Sequence, residues 1–240
     1  MTQSPNKIDK AMILAAGRGE RMMPLTASTP KPLLEVGEKP LLSFHIERLK
    51  QAGLTDLVIN HSYLGDKIED YYQCGNSHGV TISWSRESSP LETAGGIIKA
   101  LPLLGDQPFW VINGDVWCDL NYQDLLVQTN IDTLFSGEIL AHLILVPNPA
   151  HNPKGDFGLH DNLVVNKAEQ MYTFSGISIL SPKLFKDQLA GKPLALAPIL
   201  RKACDNDQVS GQIYDGDWQD IGTPQRLENL RQQYKKQSTF

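Results

Sequence analysis

Strand-like and helix-like segments alternate through the first half of this chain, and the alternation limits the folds that it can adopt. Strand-like segments occupy residues 11–16, 57–60, 80–84 and 109–113, and a helix-period pattern over residues 41–49 separates the first two. Short continuous apolar runs are typical of strands buried on both faces, and strands that alternate with helices favour a parallel sheet. The pattern therefore predicts an α/β fold, with a Rossmann-like, mostly parallel sheet and helices on both of its faces.

The second half of the chain is less regular. Its predicted elements are strands at 139–146 and 171–180, a turn-rich hairpin at 155–166, and helices at 181–189, 198–205 and 224–236. Because the hairpin lies between two strands, we expect a small lid-like insertion over about 147–180, inside a single domain of residues 11–240. Residues 1–10 lack an apolar core and are expected to be loosely ordered.

Composition places the chain among globular proteins and excludes several kinds of partner. With 240 residues, of which 41% are hydrophobic and 20% charged, the chain can bury a proper core. Its 22 basic and 27 acidic side chains give a net charge of −5, so no electrostatic footprint for nucleic acid or an anionic membrane is present. No apolar run approaches the length of a membrane span, and three scattered cysteines fit a reducing compartment. We therefore expect a cytoplasmic protein with no nucleic-acid or membrane partner.

An unusual loop, residues 14–33 (the opening loop), follows the first apolar run with the sequence LAAGRGERMMPLTASTPKPL. Gly17 and Gly19 permit positive φ angles and a close approach of backbone N–H groups to a ligand. Arg21 and Lys31 add positive charge at the mouth of the first strand. These features together predict a cradle for a polyphosphate.

The spacing of the opening loop separates it from two common phosphate-binding motifs. A dinucleotide fingerprint requires a third glycine where this chain has Met22, and a Walker A loop requires a lysine directly after the last glycine, where this chain has Glu20. Pro24, Pro30 and Pro32 prevent the loop from turning straight into a helix. In parallel sheets, ligands bind beyond the carboxyl ends of the strands, so we expect this loop to share one rim with the segments after the third and fourth strands.

The apolar run and opening loop resemble the signature of the sugar-1-phosphate nucleotidyltransferases, in which Gly-x-Gly-x-Arg is followed by Pro-Leu-Thr and then Pro-Lys-Pro. The resemblance extends from residue 11 to about residue 230. NGDVW at 113–117 matches the family's acidic metal site, TAGG at 93–96 its base-recognition loop, and WQDIGTP at 218–224 its second acidic site. The resemblance implies that a sugar-1-phosphate oxygen attacks the α-phosphorus of a nucleoside triphosphate and displaces pyrophosphate, with Mg²⁺ as the cofactor.

The resemblance also implies a set of site residues. Because an unpaired carboxylate at the end of a buried strand is very costly, a divalent cation is one partner that Asp115 could have. By resemblance, Arg21, Lys31 and Asp115 would be catalytic, and Asp115 with Asp220 would hold Mg²⁺. The nucleotide would be bound by Ala15, Ala16, Gly17, Gly19, Glu20, Arg21, Lys31 and Gly95, and the sugar phosphate by Asn113, Asn148, Gly155 and Asp156.

Softer motifs favour one branch of this family. PLETAGGI, NPAHNPKGDFGL and YTFSGISIL look most like the branch that transfers UMP from UTP to N-acetylmuramate 1-phosphate in cell-wall sugar recycling. The chain departs from the usual family pattern at Glu92, where glycine is common, and it lacks the Glu-Lys-Pro segment of glucose-activating relatives between residues 164 and 171.

Three alternatives remain open at this point. The first is a cytidylyltransferase for phosphocholine, the second a nucleotidyltransferase for a different sugar 1-phosphate, and the third a catalytically silent regulator that binds a sugar nucleotide. In the favoured interpretation, the ligands are UTP and a sugar 1-phosphate, and the protein is a monomer or a small homo-oligomer.

Overall fold

The computed structural model of the protein describes residues 6–237 and, within that range, every side chain except those at positions 127, 128 and 237. The strands are β1 (Lys10–Leu14), β2 (Glu35–Val36), β3 (Lys39–Pro40), β4 (Asp56–His61), β5 (Thr81–Arg86), β6 (Phe109–Asn113), β7 (Val116–Cys118), β8 (Ala141–Val146), β9 (Phe157–His160), β10 (Leu163–Val165), β11 (Met171–Leu180), β12 (Val209–Ile213) and β13 (Trp218–Asp220). The α-helices are α1 (Leu41–Gln51), α2 (Gly65–Tyr72), α3 (Glu92–Leu104), α4 (Tyr122–Gln128), α5 (Ile131–Ser136), α6 (Leu196–Cys204) and α7 (Pro224–Gln237). Short 3-10 turns occupy Glu20–Met22, Leu25–Ala27, Lys31–Leu33, Asn76–His78 and Pro182–Phe185.

The main sheet of the described residues has nine strands in the order β5-β4-β1-β6-β11-β8-β12-β10-β9. Strands β5, β4, β1 and β6 pair in parallel, as the alternation of strands and helices predicted. β11 runs antiparallel to β6 and β8, whereas β12 is parallel to β8. The α/β prediction is confirmed, and the sheet is parallel in the half formed by the first part of the chain and mixed in the other half.

Helices cover both faces of this sheet, as predicted. In β1, Ala11 and Ile13 belong to the core cluster that contains side chains of α1, α2 and α4, while Met12 belongs to the cluster that contains side chains of α3 and α6. All three β1 side chains are fully buried. Successive side chains of a strand point to opposite faces, so burial on both faces explains why β1 is continuously apolar.

The extent of the expected lid needs a correction. Residues 147–180 were expected to form it, but Met171–Leu180 is β11, which lies in the middle of the sheet between β6 and β8. Its apolar run therefore belongs to the core. The hairpin formed by β9 and β10 also joins the main sheet, where it forms the edge beyond β12. What was expected as a separate lid is largely an extension of the sheet.

Two other predicted segments differ from the structure. Residues 181–189 form only a 3-10 turn over Pro182–Phe185, because that turn is anchored by two buried side chains whereas Leu189 beyond it is 73% exposed. At the other end of the chain, Ile8 is 2% exposed in the core, so the expected loose order does not hold for residue 8. The first five of the ten residues in that prediction lie outside the described range.

A further apolar cluster joins the opening loop to the C-terminal helix α7. Met22 packs with Trp117, Ile221 and Leu227, and both Met22 and Ile221 are fully buried. The loop contains three 3-10 turns, and its prolines are compatible with helical segments as short as these. The buried Met22 therefore anchors the opening loop against the C-terminal part of the chain.

Two further findings concern the helices and the cysteines of the described residues. No helix within residues 6–237 is long and apolar enough to cross a membrane. All three cysteines are free thiols, and burial raises the pKa of both Cys118 and Cys204 to about 11. These two thiols fill the core in their unreactive neutral form.

Burial keeps His142 of β8 neutral in the folded protein. Its Nδ1 lies 2.8 Å from Ser210 Oγ and its Nε2 lies 3.2 Å from Thr129 Oγ1. Because the charged imidazolium would lose its solvation, burial lowers the pKa of His142 from 6.5 to about 4. The unfolded chain therefore binds this proton at a higher pH than the folded protein does.

We expect the free energy of unfolding to fall as the pH drops from about 6.5 towards 4, because unfolded His142 takes up a proton that the folded side chain refuses. One such group contributes at most about 1.4 kcal/mol per pH unit. Urea unfolding of His142→Gln between pH 4.5 and 7 should show a shallower pH dependence than the parent protein. Part of the slope should persist, because burial also lowers the pKa of His45 to about 4. Equal slopes in parent and variant would contradict the prediction.

Candidate active site

The carboxyl ends of β1 and β6 lie side by side and form the floor of the candidate site. Leu14 is the register partner of Asn113, and the Gly114 amide donates to the Leu14 carbonyl at 2.8 Å. A Cβ atom at residue 114 would lie 2.7 Å from that carbonyl oxygen, so the close approach requires glycine. The opening loop and the segment that carries Asp115 therefore leave the sheet together, at the shared rim that the sequence predicted.

Lys31 and Asp115 form an ion pair at the centre of this rim. Lys31 Nζ lies 2.8 Å from Asp115 Oδ2. The lysine is only 8% exposed, whereas 37% of the aspartate side chain is exposed. Pro30 precedes the 3-10 turn that begins at the lysine, and Pro32 lies inside it. A buried ammonium group requires negative partners, and an anionic ligand beside Asp115 would be a second one.

A second carboxylate reaches this centre through the pairing of two short strands. β13 runs antiparallel to β7, and the Ile221 amide donates to the Asp115 carbonyl at 2.8 Å. Arg226 Nη1 lies 2.6 Å from Asp220 Oδ2, and His151 Nε2 lies 3.3 Å from the same oxygen. The Asp220 carboxylate is thus held between two basic side chains.

Three cavities meet at Asn113, which lines all of them. The loop cavity, of about 250 Å³, is bounded by Ala15, Ala16, Gly17, Lys31, Glu92 and Asp115 among others. The acidic cavity, of about 270 Å³, is bounded by residues that include Arg21, Asp115, His151, Phe174 and Asp220. The large cavity, of about 480 Å³, is bounded by residues that include Glu92, Asp156, Phe157, Phe174, Leu196 and Arg201. Because these cavities share lining residues, ligands in them would lie in contact with one another.

An irregularity in β11 shapes the walls of two of these cavities. The register of β11 against β8 shifts between Phe174 and Ser178, which marks a bulge beside Asn113. Bulges bend a strand locally and redirect its side chains. Here Phe174 lines both the acidic and the large cavity, and the Ser175 carbonyl accepts a hydrogen bond from Trp218 Nε1 at 2.9 Å. The bulge therefore connects the main sheet to β13.

A buried polar network ties the opening loop to the start of α3. Asn60 Oδ1 accepts from the Ala15 amide at 2.8 Å, and Asn60 Nδ2 donates to Glu87 Oε1 at 2.7 Å. The other carboxylate oxygen of Glu87 accepts from the Leu91 amide at 3.0 Å. Asn60 and Glu87 are 2% and 6% exposed. The sequence prediction did not include these two residues, although a polar side chain that ends an apolar run, as Asn60 does, is a signal that could have identified one of them.

The structure brings together most of the predicted site residues. Six of them line the loop cavity: Ala15, Ala16, Gly17, Lys31, Asn113 and Asp115. Arg21 and Asp220 line the acidic cavity without reaching the loop cavity, and Asp156 lines only the large cavity. The predicted residues that line none of the three are Gly19, Glu20, Gly95, Asn148 and Gly155.

Two of these five residues, Gly19 and Glu20, lie in the opening loop, where Gly17 also differs from its expected conformation. Gly19 has a φ of 65°, as predicted, and precedes the first 3-10 turn. The positive φ expected at Gly17 is not observed, and a Cβ atom there would meet nothing within 4 Å, so Gly17 leaves open space in the loop cavity. Glu20 is exposed and lies 3.7 Å from Arg18, which makes it part of a solvated charge pair.

The remaining three residues, Gly95, Asn148 and Gly155, contact the backbone of neighbouring segments. The Gly95 amide, expected to meet a base, donates instead to the Leu194 carbonyl at 3.1 Å, because the segment before α6 covers the first turn of α3. Asn148 Nδ2 donates to the Met171 carbonyl at 2.9 Å, and Gly155 lies within the same loop against Tyr172. Asn148 and Gly155 thus shape the loop that presents Asp156.

Several residues that the sequence analysis passed over belong to the site. His151 lines the acidic cavity beside Asp220. Arg226 lies one turn into α7 and bonds the same carboxylate. Arg201 of α6 lines the large cavity, with its guanidinium 4.9 Å from the Phe157 ring centroid. The contacts of His151 and Arg201 depend on long-range packing, which local spacing does not encode, whereas Arg226 lies only six residues beyond Asp220.

The acidic cavity offers two carboxylates to a cation. Asp115 and Asp220 each use Oδ2 in an ion pair, and within residues 6–237 neither Oδ1 atom has an ion-pair partner. The described residues contain no group of three or more histidine, cysteine, aspartate or glutamate side chains suited to a metal ion. A cation held here would need further oxygen ligands. This donor set fits Mg²⁺, which is commonly bound by one or two carboxylates together with substrate phosphates and water.

Comparison with known proteins agrees with this geometry. Residues 10–159 match the nucleotidyl transferase family model. An N-acetylmuramate alpha-1-phosphate uridylyltransferase from Neisseria meningitidis serogroup B is 52% identical over 227 residues, which cover 92% of this chain and 96% of that protein. A mannose-1-phosphate guanyltransferase from Saccharomyces cerevisiae is 31% identical over 238 residues, covering 90% of this chain but 62% of that longer protein.

A solved structure shares the fold at lower sequence identity. The structure of a UDP-glucose pyrophosphorylase in complex with UDP-glucose superposes with a TM-score of 0.77 and 20% identity, covering 96% of this chain and 100% of that one. The family match covers more than half of the chain, and a relative aligned over nearly its whole length is half identical. The chain therefore belongs to the nucleotidyl transferase family.

Proposed function

We propose that the protein transfers UMP from UTP to N-acetylmuramate 1-phosphate, which yields UDP-N-acetylmuramate and pyrophosphate. The observation that carries nucleotidyl transfer is the meeting of Lys31, Asp115 and Asp220 where the loop and acidic cavities join. The choice of donor and acceptor rests on the 52% identity to the Neisseria enzyme, whose name gives that activity.

The reaction must bring two anions together. An oxygen of the sugar 1-phosphate attacks the α-phosphorus of UTP, the new P–O bond forms, and the bond to the departing pyrophosphate breaks. The enzyme contributes positioning and charge neutralisation rather than a covalent intermediate. Lys31 is a compact charge beside Asp115, whereas Arg21 carries a planar fork of donors into the acidic cavity. The pair can therefore neutralise one phosphate and orient another.

Asp115 and Asp220 are the residues that would hold Mg²⁺. The ion, when bound, supplies positive charge to phosphate oxygens at the reacting centre. Arg226 and His151 hold the Asp220 carboxylate from the side of α7 and of the 147–156 loop. Their contacts restrict its rotation, so the carboxylate is positioned before a ligand arrives.

The nucleotide fits the loop cavity. The Ala15 amide is already bonded to Asn60, so backbone contact with the phosphates falls to Ala16 and Gly17. The open space beside Gly17 allows a phosphate to approach the backbone closely. The network from Asn60 to Glu87 holds this loop and the start of α3 at a constant separation, which is the separation that a bound base and ribose would span.

The large cavity suits the acceptor sugar. N-acetylmuramate differs from N-acetylglucosamine by a lactyl ether that ends in a carboxylate. Arg201 lines this cavity and provides a planar guanidinium, which can bond a carboxylate through two N–H groups. Phe157, Phe174 and Leu196 supply apolar surface for the faces of the sugar ring. A charged group that matches the extra carboxylate supports the muramate ester as the acceptor.

Pyrophosphate release tests the proposal directly. UTP, CTP, GTP, ATP and dTTP would each be combined with N-acetylmuramate 1-phosphate, N-acetylglucosamine 1-phosphate, glucose 1-phosphate and phosphocholine, with and without Mg²⁺. We expect rapid release only for UTP with the muramate ester, and none after chelation of the metal. Another productive pair would replace the substrate. Nucleotide binding without any turnover would favour a regulatory protein instead.

Lys31→Ala should lower kcat/KM by about 100-fold or more, because removal of one preorganised charged donor at a reacting centre has an effect of that size. The fold should persist, since its partner Asp115 is partly exposed to water. Lys10→Ala is a matched control, because Lys10 also pairs with an aspartate, Asp56, but at the opposite end of β1. Equal activity in the two variants would refute the assignment of Lys31.

Glu87→Gln should raise KM for UTP while leaving the secondary structure intact. The amide replaces one acceptor oxygen with a donor, which then faces either Asn60 Nδ2 or the Leu91 amide. An unsatisfied buried donor costs about 1–3 kcal/mol, which is roughly a 5-fold to 150-fold change in an equilibrium constant. Steady-state kinetics with UTP varied would measure the effect. An unaltered KM would mean that the network does not position the loop.

Arg201→Met should raise KM for N-acetylmuramate 1-phosphate by about 10-fold or more, since a charged hydrogen bond to the lactyl carboxylate is lost. KM for N-acetylglucosamine 1-phosphate, which lacks that carboxylate, should change little. Lys202→Met removes a neighbouring charge from the same helix and serves as the control. An equal loss with both sugars would assign Arg201 a structural role through its contact with Phe157.

A further inference from the structure

Glu92, the first residue of α3, has a backbone conformation that strains it. Its φ is 57°, in the left-handed region where a Cβ atom crowds the following carbonyl group. Glycine adopts this conformation without that cost. Strained residues of this kind are found most often at ligand sites, where the side chain has a role that offsets the strain. The strained conformation of Glu92 therefore suggests that its side chain contacts a ligand.

The position of Glu92 agrees with such a role. It lines both the loop cavity and the large cavity, next to Thr93 and near Asn113. The residue is exposed, and within residues 6–237 its carboxylate has neither an ion pair nor a hydrogen bond to the protein. Both of its oxygens are thus free to accept hydrogen bonds at the partition between the two cavities.

The other carboxylates around these cavities are engaged by the protein. Asp115 pairs with Lys31, and Asp220 pairs with Arg226. Asp156 Oδ2 accepts from the Phe174 amide at 2.9 Å and from Asn152 Nδ2 at 3.1 Å. Among the described carboxylates of the large cavity, Glu92 is the one with no such bond. It is also the residue best placed to recognise a ligand that donates hydrogen bonds.

Charge decides which of the two cavities this carboxylate serves. In the loop cavity, it would lie against the triphosphate, where like charges repel. The large cavity also has the positively charged Arg201 in its lining, and a sugar presents hydroxyl and amide N–H donors that need acceptors. We propose that Glu92 determines acceptor specificity by accepting a hydrogen bond from a hydroxyl or amide N–H group of the sugar phosphate.

This inference rests on the proposed function, and Glu92→Gly tests it, with Glu92→Gln as the charge-free variant that keeps one acceptor oxygen. We expect Glu92→Gly to raise KM for the sugar phosphate by about 10-fold to 100-fold, the effect of losing a hydrogen bond to a charged group. KM for UTP should stay within about a factor of two of the parent value. Glu92→Gln should recover part of the loss. Calorimetric binding of UDP-N-acetylmuramate should weaken in parallel, while binding of UDP alone should not.

Stability measurements separate this role from a structural one. Glycine relieves the left-handed strain. It also removes a negative charge from the first turn of α3 and raises the conformational entropy of the unfolded chain, and both of these effects are destabilising. They oppose the relief of strain, so the Tm of Glu92→Gly should remain within about 3 °C of the parent value. Asp207→Gly is the matched control, because Asp207 is also an exposed acid in the left-handed region, with a φ of 55°, and lies in the turn after α6. It should leave both KM values unchanged.

The outcomes distinguish the inference from the proposed function. If the parent protein uses a sugar phosphate and Glu92→Gly retains the parent KM for it, the inference alone is wrong. A rise confined to KM for UTP would also overturn it, because Glu92 would then serve the nucleotide. If the parent protein releases pyrophosphate with none of the sugar phosphates, the proposed function fails and the inference fails with it.

Discussion

The pairing of β7 with β13 is the contact on which the site depends. These short strands come from the middle and the end of the chain, and their antiparallel register places Asp220 opposite Val116, the neighbour of Asp115. The pairing is held by apolar packing, since Trp117 and Ile221 lie in one cluster with Met22 of the opening loop. A single cluster thus joins the wall of the loop cavity to both aspartates. Loss of this packing would move the opening loop, with its Lys31 and Arg21, away from Asp115 and Asp220.

The arrangement of charge explains how a chain with a net charge of −5 can accommodate two anionic substrates. The positive groups are local: Lys31 is buried beside Asp115, Arg21 lines the acidic cavity, and Arg226 pairs with Asp220. In a site shielded from water, such charges act more strongly than they would on the surface. The protein can therefore bind phosphates strongly at one point without a basic surface that would attract nucleic acid.

The mixed half of the sheet creates room for a second substrate. In a parallel sheet, the rim beyond β1 and β6 would accommodate the nucleotide alone. The antiparallel strand β11 runs back past Asn113, and its bulge turns Phe174 towards both the acidic and the large cavity. The loop that precedes β9 adds Asp156, and α6 adds Leu196 and Arg201. Most of the lining of the large cavity thus comes from the less regular half of the chain, while Glu92, Thr93 and Asn113 come from the first half.

Local pattern predicted much of the architecture and part of the site. Continuous apolar runs identified β1, β4 and β6, because strands buried on both faces leave no polar alternation. The edge strand β5 was also predicted, although its sequence is partly polar. Short elements with weak patterns, such as α5, β7, β12 and β13, were not predicted, since their stability comes from tertiary pairing and not from local propensity. The same reason explains the misjudged lid, because the sequence of β11 does not tell where in a sheet a strand will insert.

The sequence by itself determined the parallel half of the sheet. The glycines and Lys31 of the opening loop predicted a phosphate cradle from a local pattern, whereas the pairing of Asp115 with Asp220 was predicted only by resemblance to the family. Only the tertiary structure decided the rest: the Lys31–Asp115 contact, the Asn60–Glu87 network, the clamps on Asp220 and the placement of Glu92 between two cavities. Apart from the contact between Arg226 and Asp220, which lie six residues apart, these contacts join residues far apart in the chain, and packing of the whole fold sets their distances.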